Sequence, residues 1–192
     1  MLSQKQQIVK RFVDIVLSLI GIVIFAIPIF VLVIISSFEN KEFGIFRQIR
    51  VGRNAKLFTI YKIKSMKVNS ENGISKFGIF IRKKKLDELP QLFNVLFGQM
   101  SIVGPRPDII GYADKLKGED KIILEVKPGL TSLATIKFSN EEELLKKQEK
   151  PTAYNDTVLW PQKVVLNKNY VKNYSLKNDI IIIVKTFLKL VS

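Results

Sequence analysis

From Ile15 to Phe38 the chain runs for 24 residues without a charged side chain. No other feature restricts the fold as strongly. As a helix the run is about 36 Å long, enough to cross a hydrocarbon core of about 30 Å. A soluble fold would have to bury such a helix on every side. A cleaved signal peptide would have a shorter apolar core followed by small residues, whereas Glu39, Asn40 and Lys41 follow here. Pro28 lies near the middle, where it removes one helical hydrogen bond and bends the axis. Lys5, Lys10 and Arg11 precede the run; Lys41, Arg47, Arg50, Arg53 and Lys56 follow it. Basic flanks stay on the cytoplasmic side. Pattern alone therefore leaves two arrangements open. The segment bends at Pro28 and leaves by the face it entered, or it spans with a proline kink.

At the boundary, Arg11 and Asp14 are three apart and Lys10 and Asp14 four apart, so all three share a helix face. The plain reading is a charged flank at the water interface. The sharper one is a basic pair, oriented by a carboxylate, that meets a lipid phosphate.

After residue 40 the character changes. Residues 44 to 66 read as short β pieces, with Phe58, Ile60, Tyr61 and Ile63 apolar and Lys62 and Lys64 interleaved. Asn69 to Gly73 reads as a turn or loop. Residues 74 to 85 end in the basic run Arg82, Lys83, Lys84, Lys85. Leu86, Leu89, Leu92, Phe93, Leu96 and Phe97 form a helical stripe with Pro90 in its first turn, which puts Asp87 and Glu88 at the helix start. Lys127 to Thr131 is another turn, Glu141 to Glu149 a charged helical stretch, and Ser175 to Val191 an apolar helix too short to span.

Composition narrows the chemistry. The chain has neither cysteine nor histidine, which excludes disulfides, thiol nucleophiles, thiolate zinc sites and imidazole bases. Any metal would be a hard, oxygen-ligated ion such as Mg²⁺. The net charge of +14 calls for a polyanionic partner: nucleic acid, anionic membrane lipids or phosphorylated substrates. No nucleic-acid-binding motif is present, so no nucleic acid partner is expected.

Asp87 and Glu88 follow the basic run and open a helix, whose N-terminus favours carboxylates and phosphates. Kept ionised there, Asp87 can attack phosphorus, a covalent strategy known for carboxylates. Mg²⁺ and basic residues must then neutralise the phosphates, with Glu88 on the metal and Arg82 and Arg106 on phosphate oxygens. Pro105 and Pro107 stiffen the backbone around Arg106 and aim its guanidinium. The ordinary alternative is that Asp87 only caps the helix and the basic run is a charged surface.

The chain resembles the bacterial sugar transferase family, the small monotopic phosphoglycosyl transferases. The resemblance is strongest from Leu86 to Pro107, where Asp-Glu-Leu-Pro-Gln-Leu-Phe-Asn-Val is followed by Gly-Pro-Arg-Pro. It continues in Lys10-Arg11-Phe-Val-Asp14, Arg47 to Gly52, Phe58 to Met66 and Lys127 to Thr131. It implies a re-entrant helix that bends at Pro28 and a two-step reaction. Asp87 would attack the β-phosphate of a UDP-sugar and release UMP. Polyprenyl phosphate would then take the sugar phosphate from the enzyme. The resemblance further implies that Glu88 completes the dyad and assists with Mg²⁺, so that Asp87 and Glu88 are the metal residues. Arg106 matches the family's phosphate-binding arginine, with Arg82 beside it. Two departures stand out. Ile27-Pro28 replaces the Ser-Pro frequent at the bend. Ser132-Leu-Ala-Thr-Ile-Lys-Phe138 replaces a Gly-Trp-Ala-Gln-Val-Asn-Gly stretch, so no sugar preference carries over.

The expectation is an α/β, helix-rich irregular single domain with a small β element and an N-terminal re-entrant membrane helix. Residues 1–40 form that helix with its basic flank, and residues 41–192 a catalytic domain on the cytoplasmic face of the bacterial inner membrane. The expected partners are a UDP-sugar, polyprenyl phosphate and anionic lipids, with a homo-oligomer left open. The activity would begin surface glycan assembly. A non-catalytic basic membrane-binding scaffold is the alternative; it accounts for the charge and the apolar run but not for the Asp-Glu block.

Overall fold

The computed structural model describes residues 2–66 and 74–191. The Asn69 to Gly73 turn lies outside them. Helix α1 spans Gln4–Asn40 and is continuous through Pro28. Its start is a capping box: Ser3 Oγ accepts from Gln6 N at 3.2 Å, and Gln6 Oε1 accepts from Ser3 N at 2.8 Å. Lys41 ends it in the left-handed conformation.

Helix α1 is inside out by the standard of a soluble protein. Its buried residues are Lys10, Asp14, Ser18 and Ser36, while Val23 is 77% exposed, Ile27 76% and Phe38 81%. Lys10, Asp14 and Ser18 recur every four residues, so one polar stripe faces the protein. Gly21 extends it: a Cβ there would lie 3.1 Å from Leu92 Cδ1. The apolar side chains point outward, as expected where hydrocarbon replaces water.

Strands β1 (Ile45–Val51) and β2 (Leu57–Ile63) form an antiparallel hairpin, Ile45 opposite Ile63 and Val51 opposite Leu57. Helix α2 spans Lys76–Lys83. The stripe from Leu86 to Phe97 is not one helix. Leu86–Glu88 is a 3-10 turn, and helix α3 is only Gln91–Leu96. Pro90 is the residue that precedes α3, where its missing N–H costs nothing. Strands β3 (Ser101–Val103) and β4 (Gly129–Thr131) pair in parallel. Their backbones meet so closely at Gly104 and Gly129 that a Cβ on Gly129 would lie 2.1 Å from Gly104 N.

Short helices α4 (Leu133–Lys137), α5 (Glu141–Lys146) and α6 (Pro151–Tyr154) follow. A wide π turn, Asn155–Leu159, leads into α7 (Trp160–Lys172). Pro161 explains it, because a proline ring clashes with the carbonyl one regular turn back. Helix α8 is Leu176–Val191.

Two small cores hold these pieces. Ile60, Val95 and Met100 join the hairpin to α3 and β3. Val103, Val126, Tyr170, Val171 and Ile182 join β3 to α7 and α8. Each such buried aliphatic side chain contributes about 1.5–3 kcal/mol. Fully buried Asn94 pins α3 to the hairpin: its Nδ2 donates to Thr59 O at 2.7 Å and to Gln99 Oε1 at 2.6 Å.

Both ends of α1 are anchored in this body. Near its start, Arg11 donates to Leu96 O at 2.6 Å and to Val95 O at 2.7 Å, the latter shared with Gly98 N, and so caps the end of α3. Near its end, Ser36 Oγ donates to Lys64 O at 2.8 Å, and Ser37 Oγ accepts from Gly44 N at 2.8 Å.

Candidate active site

The turn that carries Asp87 and Glu88 is set by Lys85, whose backbone is left-handed (φ 55°), an uncommon conformation for a side-chain-bearing residue. Both carboxylates are buried. Neither caps a helix, because no side-chain cap bond is made at this turn or at α3. The expectation that a helix N-terminus holds Asp87 ionised is therefore corrected. The two residues sit in a 3-10 turn before a six-residue helix. Their surroundings govern them instead.

Glu88 is clamped. Lys62 Nζ donates to Oε1 at 2.9 Å, Arg106 NH1 donates to Oε2 at 3.2 Å, and Arg106 NH2 donates closely to Oε1. Burial pushes this carboxyl up, but Arg106 and Lys62 more than offset it and hold Glu88 well below the usual carboxylate range. In return Glu88 raises Arg106 above its ordinary value. Asp87 is the opposite case. Its Oδ1 is buried with no hydrogen-bond partner among the described residues. Burial, then the adjacent Glu88 charge, pushes its pKa up; Lys62, Lys85 and Arg82 offset part of this.

Asp87, Glu88, Arg82 and Arg106 line one cavity of about 360 Å³, with Lys62 and Lys85 on its walls. Arg82 pairs with Glu142 at the rim. With Lys64, five cations thus line the cavity with three carboxylates, Asp87, Glu88 and Glu142, an excess suited to phosphate. Beyond Arg106, burial pushes Asp108 up to about 6, against the pull of Lys163 and Arg50.

An oxygen-seeking cation fits this site at Asp87, whose buried Oδ1 is left without a donor. Both Glu88 oxygens already accept from cations, so substrate phosphate oxygens would have to complete the coordination.

Lys10, Arg11 and Asp14 do not reach this cavity. Lys10 Nζ pairs with Asp179 Oδ2 at 2.6 Å, Arg11 binds the end of α3, and Asp14 Oδ1 accepts from Ser101 Oγ and Ile102 N, each at 2.9 Å. Sequence reading missed the roles of Lys62 and Lys85. Lys62 stood among the β-strand apolars, where a lysine reads as solvent-facing; only the fold turns it toward Glu88.

The family model described as bacterial sugar transferase matches residues 5–192. An uncharacterized sugar transferase of Haemophilus influenzae is 34% identical, over 94% of this chain and 40% of that protein. An undecaprenyl-phosphate galactose phosphotransferase of Salmonella typhimurium is 32% identical, over 96% of this chain and 40% of that protein. A UDP-glucose:undecaprenyl-phosphate glucose-1-phosphate transferase of Escherichia coli is 31% identical, over 98% and 41%. The chain spans less than half the length of these curated relatives.

Proposed function

Because the chain belongs to the bacterial sugar transferase family, we propose that it moves a sugar 1-phosphate from a UDP-sugar to polyprenyl phosphate, the first membrane step of surface glycan assembly. The observation that carries this reading is the buried Asp87 oxygen left without a partner inside a cation-lined cavity.

In the first step an Asp87 carboxylate oxygen bonds to the β-phosphorus of the donor. The bond from that phosphorus to the bridging oxygen breaks, and UMP leaves with the electron pair. In the second step an oxygen of polyprenyl phosphate bonds to the same phosphorus and the aspartyl bond breaks. Asp87 is regenerated, and a polyprenyl diphosphate sugar is the product. A carboxylate with a raised pKa is the better nucleophile once ionised. Arg106, Lys62, Lys85 and Arg82 stabilise the charge that develops on the phosphoryl oxygens. Glu88 fixes Arg106 and Lys62 in place. Mg²⁺, bound at Asp87 and the substrate phosphates, would supply further charge neutralisation.

Membrane attachment follows the same reading. Both ends of α1 are tied to one body by hydrogen bonds from Arg11 and Ser36. This anchoring supports an apolar segment that enters and leaves by the cytoplasmic face, with Pro28 as the expected bend. The chain has no cysteine, so single cysteines at exposed Lys5 and Phe43 report this directly. A membrane-impermeant maleimide should label Lys5→Cys and Phe43→Cys from the same side; labelling from opposite sides would establish a spanning helix.

The reaction is tested with the protein in detergent, Mg²⁺, polyprenyl phosphate and a panel of UDP-sugars. UMP release from one donor, lost in Asp87→Asn, is the expected result. Lipid binding without UMP from any donor would favour the basic scaffold.

A further inference from the structure

A second cavity, of about 580 Å³, is larger than the one at Asp87 and shares no wall residue with it. Lys10, Arg11, Asp14, Arg53, Glu125 and Lys127 carry its charges. Lys10 is cancelled by Asp179. Arg11 donates to neutral carbonyls, and Asp14 accepts from neutral donors, so neither charge is neutralised by those bonds. Arg53 reaches only the side-chain oxygen of Gln7, at 3.4 Å. Lys127 Nζ has neither a hydrogen bond nor a salt bridge among the described residues. It nevertheless stands close to another cation. A Cβ on Gly98 would lie 3.3 Å from Lys127 Nζ and 3.4 Å from Arg11 Cζ. Burial, then Arg11, lowers the pKa of Lys127. Arg11, Arg53 and Lys127 therefore face Asp14 and Glu125 with one positive charge in excess. A phosphodiester carries one negative charge.

The place of the cavity says which phosphodiester. Lys10, Arg11 and Asp14 lie within the last turns of α1 before the uncharged run begins at Ile15. Ile8 and Phe12 on the same helix are exposed, and Ile8 lines the cavity. An anion seated here has apolar surface beside it and the bilayer one turn away. We propose that this cavity holds the phosphodiester of an anionic membrane phospholipid, of the phosphatidylglycerol type, gripped by Arg53 and Lys127 with Arg11 behind them. Lys10, which sequence reading assigned to lipid phosphate, instead ties α1 to α8. The inference needs the apolar segment to sit in a bilayer but does not use the transferase reading.

The full chain is placed in nanodiscs of phosphatidylglycerol and phosphatidylcholine, and retained lipid is counted by native mass spectrometry. The wild type should keep one phosphatidylglycerol per chain. Arg53→Gln/Lys127→Gln should lower retention about tenfold, and Arg53→Lys/Lys127→Arg should restore it. Lys146→Gln/Lys147→Gln, which removes the same charge from exposed positions on and just beyond α5, should keep the lipid. Equal loss in this control would mean unspecific attraction and overturn the proposal. So would undiminished retention in the first variant, or displacement of the lipid by inorganic phosphate. Lys127→Gln alone, compared with Lys127→Arg at matched thermal unfolding, serves if the double variant does not fold.

Discussion

Asp14 and Asp87 are both buried carboxylates, 3% and 8% exposed, and they are used in opposite ways. Asp14 Oδ1 accepts two hydrogen bonds from β3, one of them from the backbone of Ile102. Asp87 Oδ1 accepts none among the described residues. Burial costs a carboxylate unless donors compensate it. Burial raises the pKa of Asp14 as well, but Lys10 and the Ile102 and Ser101 donors offset part of this, and the carboxylate fastens α1 to the body. Asp87 is left short, so its compensation has to come from what binds. The same contrast separates the cavities they line. One carries a surplus of cations around an unpartnered carboxylate oxygen; the other holds a smaller surplus beside the start of the uncharged run of α1.

The largest expected effect attacks this contrast at Asp87. Asp87→Asn should lower UMP release by at least about a thousandfold, the scale for loss of a nucleophile. It should not lower the melting temperature. A native pKa above the unfolded value means that folding is favoured while Asp87 holds its proton, and that this contribution is lost as pH rises through its folded pKa. The amide removes that loss. A melt clearly below wild type would mean that Asp87 is structural after all. Asp14→Ala should do the reverse. It leaves the Ser101 hydroxyl and the Ile102 N–H without their acceptor, at a cost of about 2–4 kcal/mol, read by thermal unfolding in detergent. Activity per folded molecule should hold near wild type. The smallest effect tests the electrostatics. Lys85 lowers the Asp87 pKa, so Lys85→Gln should shift the acid limb of the pH–rate profile to higher pH. Glu88, held well below the usual range, should contribute no limb in the working range. An unmoved acid limb would mean that another group titrates there.

Much of this was legible before the fold was known. The uncharged run, the strands around Ile60 and the apolar α8 depend on neighbours within a few residues, whereas Asp87, Glu88 and Arg106 were singled out by the family resemblance and Arg106 meets Glu88 across 18 positions. The errors came where neighbours disagreed with the periodicity. The stripe from Leu86 to Phe97 counts as one helix, yet Lys85 and Pro90 divide it into a turn and a six-residue helix. That division takes Asp87 away from a helix N-terminus and leaves it to burial and charge.

Hydrophobic period, charge excess and the missing cysteine and histidine established, from the order of residues alone, a basic chain with one segment long and apolar enough to cross a membrane, in which any catalysis would run without thiol or imidazole. Which carboxylate meets which cation was settled only in three dimensions. Lys62 finds Glu88 from 26 positions away, and Lys10 finds Asp179 from 169 away. Such pairs leave no periodic trace, because each depends on the packing of whole elements against one another. Electrostatic energy depends on distance and burial, and a residue's position along the chain states neither.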